Sequence, residues 1–278
     1  MKQRHKIIEN NFVVEYMVFG EGEKVLLAFH GFNNHAEDFL PLAEGLHAKF
    51  RIISINIFFH GESKASDEIV EMGMSDDDLR HLFDCLIKII PVEKYSLMGF
   101  SLGGRLVIKL ADLLPKKVAR LYLLSPDGIR PAPIYNFLTR TWIGRSLFRH
   151  SVYHPKTYMA FGNLLKTLRI VSPKRIDLVK NNFDTKEKRE RVFKTWLVLR
   201  NAYVRPNRLN TLIRRFRLKT TFFFGEHDAI IPKRLADKFV SKKDDLVSIE
   251  LLKTGHMLLR ERTLLEISRR ILEAEKQP

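Results

Sequence analysis

The run Gly99-Phe100-Ser101-Leu102-Gly103 constrains this chain more than any other stretch. It lies between an apolar run, Lys94 to Met98, and a helix-like segment from Gly104 to Leu114. Gly-x-Ser-x-Gly arises by chance in many proteins, but at the junction of a strand and a helix it has physical content. Two glycines permit a turn so tight that a Cβ would block it, and the serine hydroxyl then stands exposed above the sheet. The helix that follows aims its free N–H groups at any negative charge formed there. The stretch therefore sets a strand, a sharp turn and a helix in immediate succession.

A serine hydroxyl is a poor nucleophile at neutral pH unless a base and an orienting acid stand beside it. Two later strand-like runs end in such groups. Lys219 to Phe224 runs into Gly225-Glu226-His227-Asp228, and Leu246 to Leu252 runs into Thr254-Gly255-His256. The chain order is Ser101, Asp228, His256, which belongs to one scaffold among those that converged on this triad. Upstream, Lys24 to Phe29 reads as a buried strand entering His30-Gly31-Phe32. The backbone N–H of Phe32 is expected to form half of an oxyanion hole, and that of Leu102 the other half.

With these signs in this order, the chain resembles the α/β-hydrolase family along nearly its whole length. The resemblance rests on His30-Gly31-Phe32, Gly99 to Gly103, Gly225-Glu226-His227-Asp228 with Pro232 following, and Gly255-His256. One departure is visible: many members carry Gly-His-Gly-x-Ser after the fourth strand, where this chain has Phe59-His60-Gly61-Glu62-Ser63. The resemblance implies an α/β fold, with a mostly parallel central sheet flanked by helices and an inserted helical lid. It also implies a serine hydrolase that cleaves a carboxylic ester through an acyl-enzyme, with no cofactor. Some relatives place the triad acid where Asp127 ends a strand, but the Gly-x-x-Asp context favours Asp228. Dehalogenases and epoxide hydrolases of the family use an aspartate where this chain has Ser101, which disfavours both. Ser101 to Arg105 also matches a run in the menaquinone-pathway synthase of this family, a pyruvate-eliminating enzyme whose matching arginine helps hold an anionic substrate. Arg105 thus either makes a structural salt bridge or contacts substrate, and a lyase or carbon–carbon bond hydrolase is the alternative activity.

Strand-like and helix-like segments alternate, as a mostly parallel sheet requires. Phe12 to Phe19 and Lys24 to Phe29 read as an opening pair with a hairpin turn at Gly20 to Lys24, followed by strands beginning at Phe50, Lys94, Val118, Lys219 and Leu246. Helices are predicted near 36–48, 76–90, 102–114, 232–243 and 257–275, with Ser75 and Asp78 as a start signal. The alternation breaks between 129 and 215. Residues 1–128 and 216–278 are therefore assigned to the core and 129–215 to a basic helical lid.

The charge distribution supports that division. Of the 48 Lys and Arg and 32 Asp and Glu, residues 129–215 hold 20 and 4, so the whole net charge of +16 sits there. The same segment is rich in aromatic residues, among them Trp142, Tyr158, Phe161 and Phe183. Basic and aromatic residues together fit either a solvated lid or a surface that meets anionic lipid. His35, Phe100, Arg105 and Trp142 are the candidates for lining the substrate pocket, with a small-molecule ester as the expected ligand. A lid-driven binder of membranes or of an acidic partner is a third reading. No nucleic-acid motif is present, and no metal-ligand spacing such as His-Glu-x-x-His occurs. The lone Cys85 falls among Leu79, Leu82, Phe83 and Leu86 at helical spacing, as a small buried residue does. No apolar run long enough to span a bilayer occurs, so a cytoplasmic protein, at most peripheral to a membrane, is expected. Oligomeric state is not legible.

Overall fold

The computed structural model describes residues 3–130, 133–154, 185–241 and 245–276. Within them lies a nine-stranded sheet. Its strands are β1 (Arg4–Ile8), β2 (Phe12–Phe19), β3 (Lys24–Phe29), β4 (Phe50–Ile55), β5 (Lys64–Ala65), β6 (Tyr95–Phe100), β7 (Val118–Leu124), β8 (Lys219–Gly225) and β9 (Val247–Leu252). The spatial order is β1-β2-β4-β3-β6-β7-β8-β9, with β5 beside β2. Every pairing from β4 to β9 is parallel, whereas β2 runs antiparallel to β1, β4 and β5.

Parallel strands are covered on both faces, so successive residues must all be apolar. In β3, Val25, Leu27 and Phe29 join one core while Leu26 and Ala28 join the other. The first core is closed by α3 (Asp76–Ile89), α4 (Leu102–Leu113) and α8 (Pro206–Arg215). The second is closed by α1 (Leu40–Leu46) and α9 (Glu261–Ala274), through Leu42, Ala43 and Leu46 against Leu264, Ile267 and Ile271. Beneath the end of α9, the nearly buried Glu275 carboxylate pairs with Lys24 at the start of β3 and with Arg120 of β7 at 2.9 Å. Ser75 caps α3 and shares a reciprocal box with Asp78, as its sequence signals.

Three local expectations change. β2 and β3 are not a hairpin, because β4 lies between them. Residues Gly20 to Glu23 instead pass over the start of β4, where Glu21 and Gly22 donate their N–H groups to the His47 carbonyl at 3.2 Å. A Cβ on Gly22 would overlap the Lys49–Phe50 peptide, which is why glycine stands there. Second, 232–243 holds no α-helix among its described residues, only 3-10 turns at Lys233–Leu235 and Asp237–Phe239. The buried pair Ala236 and Phe239 is three residues apart, the repeat of a 3-10 turn. Third, strand β1 was not foreseen; exposed at every other residue, it gives little hydrophobic signal.

The insertion between β7 and β8 contains α5 (Pro133–Arg140), α6 (Trp142–Tyr153) and α7 (Lys186–Val198), of which α7 packs on α2 (Asp67–Met72). Tyr158, Phe161 and Phe183 lie outside the described residues. Phe148, Val152, Val192, Phe193 and Leu197 form a cluster of their own. Helix α8, assigned to the same segment by the break in alternation, instead buries Leu209, Leu212 and Ile213 in the main core. Its basic residues decorate a core helix, so the insertion ends near residue 205 rather than at 215.

Gly22→Ala is expected to destabilise the fold by about 2 kcal/mol or more, because backbone must move to admit the methyl group. Urea unfolding measures this, and an unchanged midpoint would show that the crossing is loose.

Candidate active site

Strand β6 is buried at all six positions and passes directly into α4 through Ser101. Ser101 has φ 48° and ψ −113°, a conformation that costs a non-glycine residue about 1–3 kcal/mol. Backbone hydrogen bonds hold it: its N–H donates to the Leu124 carbonyl at 2.9 Å, and its carbonyl accepts from Gly104 at 2.9 Å and Asp127 at 2.8 Å. The flanking glycines are sterically required. A Cβ on Gly99 would meet the Gly103 backbone, and one on Gly103 would overlap the carbonyls of Phe29 and His30.

His256 and Asp228 arrive from the loops after β9 and β8. His256 Nε2 lies 3.2 Å from Ser101 Oγ, and His256 Nδ1 lies 2.8 Å from Asp228 Oδ2. The second Asp228 oxygen accepts the N–H groups of Ile230 and Ile231, both at 2.8 Å. Burial opposes ionisation of Asp228, yet the hydrogen bond and charge of His256, with the Ile231 N–H, hold its carboxyl below the ordinary value. Asp127 is engaged elsewhere. Its Oδ2 accepts from Arg105 Nη2 at 2.6 Å, and its Oδ1 from the Gly128 N–H at 2.8 Å.

The loop after β3 lies against the serine. A Cβ built on Gly31 would stand 3.2 Å from Ser101 Cβ and 2.8 Å from the Phe100 ring. Leu102 is the first residue of α4, where an N–H has no helical acceptor. Among the described residues neither its N–H nor that of Phe32 has a hydrogen-bond partner.

That loop is fastened by His30 and His60, which follow the ends of β3 and β4. His60 Nε2 accepts the Asn33 N–H at 3.1 Å, and His30 Nε2 accepts the Ile57 N–H at 3.2 Å. The other ring nitrogens face the carbonyls of Phe58 and Gly31, at 3.1 and 2.6 Å. Each ring is thus neutral, donating through Nδ1 and accepting through Nε2. Burial lowers the His30 pKa to about 4, and burial with His30 alongside lowers that of His60 to about 2. Below them, Asn56 accepts from the Ala36 N–H at 2.7 Å and donates to the buried Glu15 at 2.6 Å. Phe59, standing where the resemblance places glycine, has φ 65°. The loop therefore keeps the left-handed turn without the residue best suited to it.

The four pocket candidates separate. Phe100 is buried, with its ring 5.4 Å from that of His256. His35 is exposed on the loop rim, 6.3 Å from His30. Arg105 is 2 % exposed; besides its pair with Asp127, its guanidinium stacks on the Tyr135 ring at 3.9 Å. Its Nε and Nη1 have no acceptor among the described residues. Trp142 is not brought to Ser101. It is 76 % exposed, because α6 turns Gly144, Phe148 and Val152 inward and leaves the indole off that face. The insertion does reach the loops: Phe32 packs on its apolar cluster, and Thr195 Oγ1 donates to the Phe58 carbonyl at 3.2 Å.

Among the described residues, one group has metal-donor chemistry, namely Glu9, His81 and Cys85. They satisfy one another by hydrogen bonds, with His81 Nε2 3.1 Å and Cys85 Sγ 3.4 Å from the Glu9 carboxylate. Burial and Glu9 push the Cys85 thiol up to about 11, away from a thiolate ligand.

A family model described as alpha/beta hydrolase fold matches residues 24–263. The uncharacterized hydrolase YugF of Bacillus subtilis is 23% identical, over 87% of this chain and 86% of that protein. A second Bacillus subtilis protein, named as a 2-succinyl-6-hydroxy-2,4-cyclohexadiene-1-carboxylate synthase, is 32% identical over 40% of this chain and 41% of its own length. Other curated relatives are matched along about a third of their length, 30% and 32%. Among solved structures, a thermophilic esterase from Thermogutta terrifontis superposes with a TM-score of 0.68 at 18% identity, covering 99% of this chain and 98% of that one. No helix among the described residues is long and apolar enough to cross a membrane.

Because His30 and His60 are neutral in the fold and titrate near 6.5 when unfolded, acid favours the unfolded chain. Stability is full above about pH 6.5 and is lost as the pH falls toward 4, by up to about 1.4 kcal/mol per pH unit for each ring. Urea midpoints from pH 8 to 4.5 should show this slope, and His60→Gln should flatten it. Equal slopes in the two proteins would mean that His60 is not held neutral.

Proposed function

Since the chain belongs to the alpha/beta hydrolase fold family, we propose that it is a serine hydrolase cleaving a carboxylic ester through an acyl-enzyme. The observation that carries this reading is the continuous line Ser101 Oγ, His256, Asp228, with contacts of 3.2 and 2.8 Å. Ser101 Oγ attacks the ester carbonyl while His256 Nε2 takes its proton. Asp228, fixed by two backbone N–H groups, keeps the ring in the tautomer that leaves Nε2 free and steadies its positive charge. The N–H groups of Phe32 and Leu102 receive the oxyanion, where one such donor contributes about 10²–10³-fold in rate. His256 then returns the proton to the leaving alcohol, and a water molecule releases the acyl group by the same steps in reverse. In this reading the insertion is the lid over the bound ester, resting on Phe32 and on the loop after β4.

A second reading has a specific observation behind it. Arg105 lies on the helix that follows Ser101 and keeps two guanidinium nitrogens without acceptors, which suits an anionic substrate handled by a lyase or carbon–carbon hydrolase. Against it, the Asp127 carboxylate already neutralises that charge at 2.6 Å. Burial works against the Arg105 cation, and Asp127 beside it holds the pKa above its ordinary value.

Hydrolysis of a p-nitrophenyl ester series from short to long acyl chains tests the first reading. Ser101→Ala should lower kcat by about 10⁵–10⁶-fold, and Asp228→Asn by about 10³–10⁴-fold through the wrong histidine tautomer. Esterase activity that survives Ser101→Ala sinks the assignment. Pyruvate release, or ring-bond cleavage lost with Arg105→Ala while simple esters go untouched, selects the second reading.

A further inference from the structure

Among the described residues of the insertion, helices α5 and α6 carry exposed side chains unlike those of the rest of the described surface. Among the described residues ten large apolar side chains are exposed, and Phe137, Trp142, Ile143, Leu147 and Tyr153 are five of them. Half of the exposed bulk is thus concentrated in two short helices. Trp142 and Ile143, 76 % and 59 % exposed, stand at the turn between them, where Thr141 caps α6 through the Gly144 N–H at 3.0 Å. Residues 133–154 contain Arg140, Arg145 and Arg149 but no Asp or Glu. The described parts of 129–205 hold 11 Lys and Arg against two acidic residues.

The inner face of α6 is already used. Phe148 packs on Phe193 and Trp196, at ring separations of 5.1 and 5.5 Å, and Val152 joins the same cluster. What remains is a helix face with an apolar tip and cationic flanks. A shallow cavity of about 140 Å³ lies beside the tip, lined by Glu71, Trp142, Arg145, Ser146 and Arg149. Arg149 is paired there with Glu71 at 3.2 Å, whereas Arg145 makes no ion pair among the described residues.

We propose that the α5–α6 edge docks on an anionic lipid bilayer, with Trp142, Ile143 and Leu147 entering the headgroup region and Arg145 meeting lipid phosphate. Tryptophan with aliphatic neighbours is the composition of the membrane interface, and basic flanks add attraction to anionic headgroups. An acidic protein would satisfy the arginines but leaves an exposed indole and two aliphatic side chains without a role. The docking does not depend on the ester-cleaving reading, since none of these residues touches Ser101, His256 or Asp228.

Flotation of the full chain with vesicles of phosphatidylcholine alone, or mixed with phosphatidylglycerol, tests it. Binding should require the anionic lipid and weaken as salt rises. Arg145→Gln should reduce the partition coefficient about fivefold, and Trp142→Ala tenfold or more. Of the two tryptophans in the chain, Trp142 should give a blue-shifted emission with anionic vesicles that disappears in Trp142→Ala; circular dichroism of both variants should match the parent. Three outcomes overturn the proposal: no anionic-lipid dependence, binding unchanged by Trp142→Ala, or equal binding to soluble polyglutamate with no shift in emission. The last would assign the face to an acidic protein.

Discussion

Everything at the site depends on how closely α4 may approach the sheet. A helix that starts one residue after a strand must lay its first turn against the neighbouring strand ends, and side chains normally keep such backbones apart. Here Gly103 rests on the Phe29 and His30 carbonyls, Gly104 rests on Pro126, and Gly99 lies under the first turn itself. With Cβ atoms at these positions the helix would rise, and Ser101 would lose the Leu124 and Asp127 hydrogen bonds that hold its left-handed conformation. The strain at one residue is sustained by contacts made at three others.

The loop after β3 is fixed differently, through polar groups removed from water. Glu15, Asn56, His30 and His60 form a chain of buried donors and acceptors that ties β2, the loop after β4 and the loop after β3 into one piece. Two neutral imidazoles do here what backbone pairing does within the sheet. Their cost is that each must stay unprotonated, so the rigidity of the loop is linked to pH.

Much of the fold was legible in the sequence, because parallel strands write themselves as apolar runs, and so was the meeting of Ser101, Asp228 and His256, each of which follows a strand end. Phe12–Phe19 and Lys24–Phe29 match in both bounds. What was not legible depends on partners distant in sequence. Gly20 and Gly22 carry the same signal for a hairpin as for a crossing over β4, and only sheet order tells them apart. Trp142 was read as pocket-lining, whereas the Gly144–Phe148–Val152 spacing holds the contrary signal. Helix α8 went with the insertion because no strand separates it from α7, and its net charge, which reports only the solvent face, gave no sign of the buried Leu209, Leu212 and Ile213. The Glu15–Asn56 bond joins residues 41 apart, and no local pattern announces it.

The pairing of α1 with α9 carries a consequence for synthesis. Leu42, Ala43 and Leu46 are covered by residues that leave the ribosome about 220 positions later. At roughly 5–20 residues per second, that apolar face stays open for about 10–45 s. The Lys24–Glu275 ion pair spans 251 residues and waits for the same late segment. A nascent chain with β3, β4 and β6 already paired would therefore still show a greasy underside, and shielding of that surface becomes a requirement of biogenesis rather than of the finished enzyme.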